Sequence, residues 1–143
     1  MFNLNDCMAF VTSQSGKVFA EAMEKRLRPY GITRTHWIAM YYIMTNEAIT
    51  QKQLAEMMAL KEPSVVPILQ KMEMEGDLVR IASEKDRRNK FLKLTEEGEA
   101  HCKRILPVVE GFKEDTTRGI SEEHLQILKD SLEKMVENAN ASS

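Results

Sequence analysis

The chain has 143 residues, of which 43% are hydrophobic and 29% charged, and its formal net charge is -2. This length suits one domain with a substantial core, and no apolar run approaches the roughly 20 residues that a membrane-spanning helix needs. Two cysteines, Cys7 and Cys102, are too few for a disulfide framework, and the N-terminus lacks the pattern of a secretory signal, so the sequence predicts a cytoplasmic protein with reduced thiols.

The first two predicted elements are helices. Between Asp6 and Arg28 apolar residues recur at helical spacing, and Pro29 with Gly31 predicts the end of this helix. A second helix follows Thr33, a residue type that caps helix N-termini. Its continuous apolar sequence predicts that it is mostly buried.

Two further helices follow closely on each other. Thr50 and Gln53 have the spacing of a capping box, which predicts a third, short helix. The fourth helix has Pro63 in its first turn and apolar residues at steps of three and four up to Gly76. Two helices joined by so short a connection form a helix-turn-helix, whose second helix can enter the major groove of DNA.

A change of hydrophobic period then indicates a β-hairpin. Val79 and Ile81, and later Leu92 and Leu94, alternate with basic residues, as in strands with one buried face. Residues 80–93 contain six basic and two acidic residues, although the whole chain is slightly acidic. A basic hairpin directly after a helix-turn-helix is a wing.

The last two predicted elements are again helices. Thr95 can cap a fifth helix that Pro107 is expected to bend and Gly119 to end. Ser121 starts a sixth helix. Its apolar stripe consists of Leu125, Leu128, Leu132, Met135 and Val136.

These elements predict one mainly helical protomer over residues 1–143. Its winged helix-turn-helix with a two-stranded β-wing spans residues 33–95. The helices in 1–30 and 96–143 are not needed for that unit, so their apolar stripes are expected to pair with a second copy in a two-fold homodimer.

The wing also contains residues with a distinctive spacing. Asp86 and Arg88 are separated by one residue, and after five further residues comes the sequence "LTEEG", with Leu94, Thr95 and Gly98. A glycine-centred segment, "MEMEGDLVR", joins the fourth helix to the first strand. On these features the chain resembles the MarR (multiple antibiotic resistance regulator) family of bacterial winged-helix transcription factors, over nearly its whole length. The resemblance implies a dimeric regulator, usually a repressor, that binds a pseudo-palindromic double-stranded operator and is released by a small aromatic or phenolic ligand or by thiol oxidation.

Within that family the chain resembles one branch, the organic hydroperoxide regulators, at two positions. Pro67 lies inside the fourth helix, and Cys7 lies near the start of the first helix, where that branch has its sensing cysteine. Phe19 and Glu21 stand where the branch has tyrosines that hold the thiolate. A helix N-terminus would stabilise a Cys7 thiolate, while the neighbouring Asp6 opposes it.

The candidate DNA contacts lie on the fourth helix and the wing. Ser64 and Gln70 can hydrogen-bond base edges, whereas lysines suit phosphates and wing arginines suit a narrow minor groove. Asp86 is interpreted as a brace for one of these arginines. The predicted contacts are Lys61, Glu62, Pro63, Ser64, Val66, Pro67, Gln70, Lys71, Lys85, Asp86, Arg87 and Arg88.

A second candidate site is a mixture of aromatic and polar residues on the first two helices. It consists of Phe10, His36, Trp37, Met40 and Tyr41. Ordinary core packing explains such residues. The family resemblance implies instead that a small-molecule effector binds there.

Other classes of site are not predicted. No nucleophile, base and orienting residue stand at recognisable spacing, and no glycine-rich phosphate loop is present, so the chain is not expected to be an enzyme. His36, His101 and Cys102 are possible metal ligands, but Ile105 stands one turn after His101 where a second histidine would be needed, so no metal or cofactor is predicted. The alternative to DNA binding is a winged-helix module for protein contacts, which would not need so basic a wing.

Overall fold

The computed structural model describes residues 1–85 and 90–142, and within them the chain is mainly helical with one antiparallel hairpin. Short 3-10 helices at Leu4–Asp6 and Arg28–Tyr30 flank the first α-helix. The elements are α1 (Met8–Leu27), α2 (Arg34–Thr45), α3 (Gln51–Met57), α4 (Glu62–Met74), β1 (Leu78–Ala82), β2 (Lys90–Leu94), α5 (Glu96–Thr117) and α6 (Glu122–Ala141). This order is a winged helix-turn-helix with flanking helices, so the predicted fold class is confirmed.

Local capping fixes where several helices begin. The Thr33 hydroxyl accepts the N–H of His36 at 3.1 Å, as predicted for the start of α2. The capping box of α3 is complete, since Thr50 Oγ1 accepts the Gln53 N–H at 3.1 Å and Gln53 Oε1 accepts the Thr50 N–H at 2.9 Å. Ser121 caps α6 in the same manner. These four hydroxyl and amide side chains satisfy N–H groups that a helix leaves without a partner.

The chain forms two compact units. One consists of residues 23–109, and the other combines residues 1–22 with 110–143. The larger unit contains the helix-turn-helix, the hairpin and the start of α5. Its core consists of Leu27, Ile32, Trp37, Ala39, Met40, Ile43, Ile49, Leu54, Ala55, Val65, Leu69, Met72, Leu78, Leu92, Leu94, Cys102 and Ile105. Burying a side chain such as Leu or Met contributes about 1.5–3 kcal/mol, so this core fixes the orientation of α4.

The hairpin corrects one sequence prediction. Its register pairs Val79 with Lys93, Arg80 with Leu92 and Ile81 with Phe91. Val79 and Ile81 are therefore on the face opposite to Leu92, and they are 43% and 45% exposed. The expectation that these two residues form the buried face of β1 is wrong, because the antiparallel pairing places Leu78 and Arg80 on the core side.

The smaller unit contains the C-terminal helix. Within the described residues α6 has no fully buried side chain, and its apolar stripe leaves Leu128 50% and Val136 58% exposed. α5 runs continuously through Pro107 and ends two residues before Gly119, whose φ is +84°. No helix in the described part of the chain is long and apolar enough to cross a membrane.

Candidate nucleic-acid interface

The fourth helix has a buried face and an exposed face. Val65, Leu69 and Met72 are completely buried. Pro67 and Gln70 lie on the opposite side of the helix and are exposed. Of the predicted contacts on this element, Lys61, Glu62, Pro63, Ser64, Pro67, Gln70 and Lys71 are exposed and Val66 is half-buried.

A polar network connects the two helices of the helix-turn-helix to the wing. Gln51 donates to Glu62 Oε1 at 3.3 Å and accepts from Arg80 Nη1 at 3.1 Å. Arg80 Nε also bonds Glu73 Oε1 at 3.0 Å. Glu62 is therefore oriented by Gln51, and Glu73 is neutralised by Arg80. Sequence reasoning did not select Gln51 or Arg80, because their roles depend on the packing of three separate elements.

A groove of about 610 Å³ lies beside this network. It is lined by Thr50, Gln51, Lys52, Gln53, Glu56, Glu62, Arg80 and Lys90. Lys52 is in the first turn of α3, where the partial positive charge of the helix N-terminus also attracts anions. Lys52 and Lys90 were not selected from the sequence, although a basic residue at the start of a helix-turn-helix suits a DNA phosphate.

The wing is described up to Lys85 and again from Lys90. Lys85 is exposed, and its backbone N–H donates to Ser83 Oγ at 3.2 Å. On the returning strand Lys90 and Lys93 are exposed. The other predicted wing contacts, Asp86, Arg87 and Arg88, lie outside the described residues.

The aromatic candidates on α2 are packed against each other or against the core. Trp37 stacks on Tyr41 with ring centroids 5.4 Å apart and 25° between the planes. Met40 is fully buried, whereas Tyr41 is exposed. Trp37 Nε1 is buried and has no hydrogen-bond partner among the described residues. Phe10 is half-buried on α1, in the other compact unit.

The two cysteines differ in their surroundings. Cys7 is partly buried between the first 3-10 helix and α1, and its carbonyl accepts the Val11 N–H at 2.9 Å. It thus immediately precedes α1. Cys102 is fully buried on α5, and this burial raises the pKa of its thiol to about 11.

Comparison with known proteins identifies the winged unit. The MarR family model matches residues 32–90, which contain α2, α3, α4 and the first hairpin strand. This segment, 59 of the 143 residues, is similar to the winged helix-turn-helix of the MarR family. Several structural neighbours of the chain are transcriptional regulators, including a MarR-family regulator from Rhodococcus sp. RHA1 and the repressor CouR solved on a DNA duplex, and their fold agrees with the predicted one.

Solved structures share the fold of almost the whole chain. CouR from Rhodococcus jostii RHA1, solved with p-coumaroyl-CoA, is 25% identical with a TM-score of 0.85, covering 94% of this chain and 95% of CouR. MepR from S. aureus, solved as a DNA complex, is 19% identical with a TM-score of 0.81, covering 91% and 96%. BpsR from Bordetella bronchiseptica, whose DNA binding is regulated by 6-hydroxynicotinic acid, is 14% identical with a TM-score of 0.85, covering 95% and 97%.

Proposed function

We propose that this protein is a homodimeric transcriptional repressor that binds a pseudo-palindromic operator. In this proposal α4 enters the major groove and the wing reaches the neighbouring minor groove. The observation that carries the proposal is the two-sided character of α4. One face is fixed in the core of a MarR-type winged unit, and the other is exposed and polar.

The exposed face of α4 has suitable chemistry for reading DNA. Gln70 can make a bidentate contact to adenine, and Ser64 can bond to more than one base edge. Lys61 and Lys71 suit the flanking phosphates, although Lys71 Nζ lies 4.0 Å from Glu75 Oε1. An exposed ion pair of this kind is weak, so a phosphate can replace the carboxylate.

Pro67 is proposed to shape the same face. Because proline has no N–H, the carbonyl of Pro63 cannot receive the usual helical bond from residue 67. Both prolines are exposed on α4. Pro63, Pro67 and the adjoining half-buried Val66 therefore offer apolar contacts, of the kind that bind a thymine methyl group.

Dimerisation is proposed to occur through the terminal helices. Two half-sites on one duplex require two recognition helices, so a single chain would not be sufficient. The apolar stripe of α6 supports this proposal, since Leu128 is 50% and Val136 58% exposed and a second copy would bury these side chains.

Release by a small aromatic or phenolic ligand is proposed as the regulatory step. The unpartnered Trp37 N–H and the stacked Tyr41 ring supply a donor and an aromatic face for such a molecule. Two structural neighbours were studied with aromatic ligands, p-coumaroyl-CoA and 6-hydroxynicotinic acid.

Thiol oxidation is the second candidate for release, as in the organic hydroperoxide branch. It is favoured by the partly exposed Cys7 at the start of α1. The test compares operator release from wild type and Cys7→Ser after treatment with cumene hydroperoxide. Release from wild type alone would support oxidation of Cys7, while equal release from both proteins, or none from either, would exclude it as the switch.

The DNA-binding proposal is tested by substituting the wing and measuring operator affinity over a range of salt concentrations. Lys85→Ala is expected to weaken binding evenly across sequences and to reduce the slope of log affinity against log salt by about one unit. Arg88→Ala is expected to weaken operator binding while the protein stays folded. Lys134→Ala, which removes an exposed lysine of α6, is the matched control. Unchanged affinity and salt slope in both wing variants would contradict a role of the wing in DNA binding and would favour a protein-docking module.

A further inference from the structure

A polar cluster lies where α4 leads into the wing. Asp77 follows Gly76 and is only 5% exposed. Its backbone is held on both sides, because its N–H donates to the Met72 carbonyl at 2.9 Å and its carbonyl accepts the Thr95 N–H at 2.9 Å. The Asp77 carboxylate is therefore positioned inside the larger compact unit by two elements.

Two histidines face this carboxylate. His101 Nδ1 lies 3.0 Å from Asp77 Oδ2, which is a hydrogen bond. His36 Nε2 lies 3.8 Å from the same oxygen, which is too long for one. His36 is 2% exposed, and neither of its ring nitrogens has a hydrogen-bond partner among the described residues. A buried polar group without a partner is costly, so this imidazole requires an explanation.

The imidazole of His36 is suited to accept a cation. Desolvation by burial lowers the pKa of His36, and it outweighs the opposite effect of Glu75 and Asp77. Neither ring nitrogen is engaged by a hydrogen bond within the described residues, so a nitrogen lone pair of His36 is available to a ligand. A neutral imidazole is the form of histidine that binds metal ions.

Glu75 completes a set of three donors. The donor atoms of His36, Glu75 and Asp77 all lie within 4.8 Å of one another. Donors around a tetrahedral zinc ion, at bonds of about 2.0–2.2 Å, lie roughly 3.3–3.6 Å apart. Glu75 is exposed and only weakly paired to Lys71, so its side chain can supply the small movement that is needed.

The cluster is open to solvent on one side. A cleft of about 410 Å³ reaches it and is lined by Glu75, Asp77, Glu97, Ala100, His101 and Arg104. This cleft reaches the cluster on the side of Glu75 and Asp77, where it provides an entry path and space for water as a further ligand.

We propose that His36, Glu75 and Asp77 bind a divalent transition-metal ion of the zinc type, with His101 orienting Asp77 from outside the coordination sphere. One nitrogen and two carboxylate donors suit zinc or manganese, whereas magnesium prefers oxygen ligands and water. Two carboxylates and one neutral imidazole also balance the charge of the ion. A hydrogen bond from a second residue to a ligating carboxylate is a usual feature of such sites.

The spacing of metal-ligand residue types in the sequence does not indicate this site, because Ile105 rather than a second histidine stands one turn after His101. The donors instead come from the start of α2 and from the two residues flanking Gly76. Since Glu75 and Asp77 directly follow α4, a bound ion would link the end of this helix to α2.

The test measures zinc binding to the chelator-treated full chain in competition with a chromogenic chelator, without DNA. It is therefore independent of the proposed function. Wild type is expected to bind one Zn²⁺ per chain at this site, and Mg²⁺ is not expected to compete. Glu75→Gln and His36→Gln are expected to weaken Zn²⁺ binding by about tenfold or more.

His124→Gln is the matched control, because it removes an exposed histidine of α6. It is expected to bind Zn²⁺ as wild type does. Since Glu75 is exposed, Glu75→Gln tests the site even if His36→Gln does not fold, and circular dichroism monitors folding in each variant. The proposal is overturned if wild type binds no Zn²⁺ at stoichiometric concentration, or if Glu75→Gln binds it as tightly as wild type does.

Discussion

Gly98 has the tightest backbone environment of the glycines in the described chain. A Cβ atom at this position would lie 2.2 Å from the backbone oxygen of Asp77. The close approach arises because Thr95 donates its N–H to that same oxygen and its hydroxyl accepts the Gly98 N–H at 3.0 Å. The first turn of α5 therefore packs directly on the backbone that follows α4. This contact gives a physical reason for a glycine at the end of "LTEEG".

Replacing Gly98 with Ala is expected to destabilise the protein by about 1–3 kcal/mol or more, because backbone atoms must move to admit the methyl group. Gly111→Ala is the control in the same helix. Apart from the neighbouring backbone of α5, no atom of the described residues lies within 4 Å of its Cβ position, so Gly111→Ala is expected to stabilise the protein by about 0.5–1 kcal/mol. The urea concentration at the midpoint of unfolding is compared between the two variants. A midpoint for Gly98→Ala at or above that of Gly111→Ala would show that the backbone at Gly98 has room for a methyl group.

The two thiols are expected to react at different rates. Because the pKa of Cys102 is raised to about 11, its thiol stays protonated at pH 8, and burial also blocks access. A disulfide reagent at pH 8 should therefore modify one thiol in the native protein and two after denaturation. Cys7→Ser should abolish the native reaction. Rapid modification of two native thiols would show that Cys102 is accessible.

The helix α4 contains two prolines, one of which lies in its interior, where proline is destabilising. A proline inside a helix removes one backbone hydrogen bond and costs about 3 kcal/mol, whereas proline in the first turn is tolerated. α4 contains both, with Pro63 in the first turn and Pro67 in the interior. The exposed face of this helix thus retains a destabilising residue, which is understandable if the groove contact requires it.

Pro67→Ala is accordingly expected to raise thermal stability, since residue 67 would regain an N–H that can bond to Pro63. It is also expected to weaken operator binding. Pro63→Ala should change stability little, because the N–H groups of a first turn have no helical partner in any case. Calorimetry and operator titration of both variants make the comparison. Improved stability with unchanged operator affinity would remove Pro67 from the proposed interface.

Elements defined by local signals were predictable from the sequence. Thr33, Thr50 and Ser121 cap helices as predicted, because a cap involves only residues three positions apart. The buried face of β1 was not predictable. Val79 and Ile81 have the composition of a core face, but the pairing of two strands decides which face is buried.

In the candidate sites, too, the features set by residues close in sequence were predictable and those set by tertiary packing were not. The exposed residues of α4 could be selected because the apolar stripe of a helix identifies its opposite face. The Arg80 network and the Asp77 cluster could not be selected, since they join residues 29 and 24 positions apart. Such contacts follow from tertiary packing, which the spacing of residue types in the sequence does not specify.

For the whole molecule, the proposed homodimer makes a specific prediction about α6. Leu128→Asp would place an unpaired charge in the apolar interface, so it is expected to cost several kcal/mol and to split or unfold the dimer. Asn138→Asp adds the same charge at an exposed position outside the stripe and should leave the dimer intact. Light scattering distinguishes these results, and a wild-type monomer at micromolar concentration would contradict the proposed architecture.

The charge of the whole molecule also limits how it can bind DNA. With a formal net charge of -2, it cannot rely on bulk attraction to nucleic acid. In the proposed complex, affinity for DNA would therefore arise from the basic residues of the wing and from Lys52 and Lys90 in the groove beside α3. If the protein contacts six to ten phosphates, raising the salt concentration from 50 to 200 mM is expected to lower its affinity for DNA by a factor of about 10³–10⁵.

The most direct test of the central claim is a nuclease footprint on the DNA flanking the gene of this protein, made together with a measurement of the number of chains bound per site. A homodimeric repressor is expected to protect one pseudo-palindromic site that binds two chains and is preferred over unrelated duplex DNA. Absence of any protected site, with binding no tighter than to unrelated DNA, would contradict it.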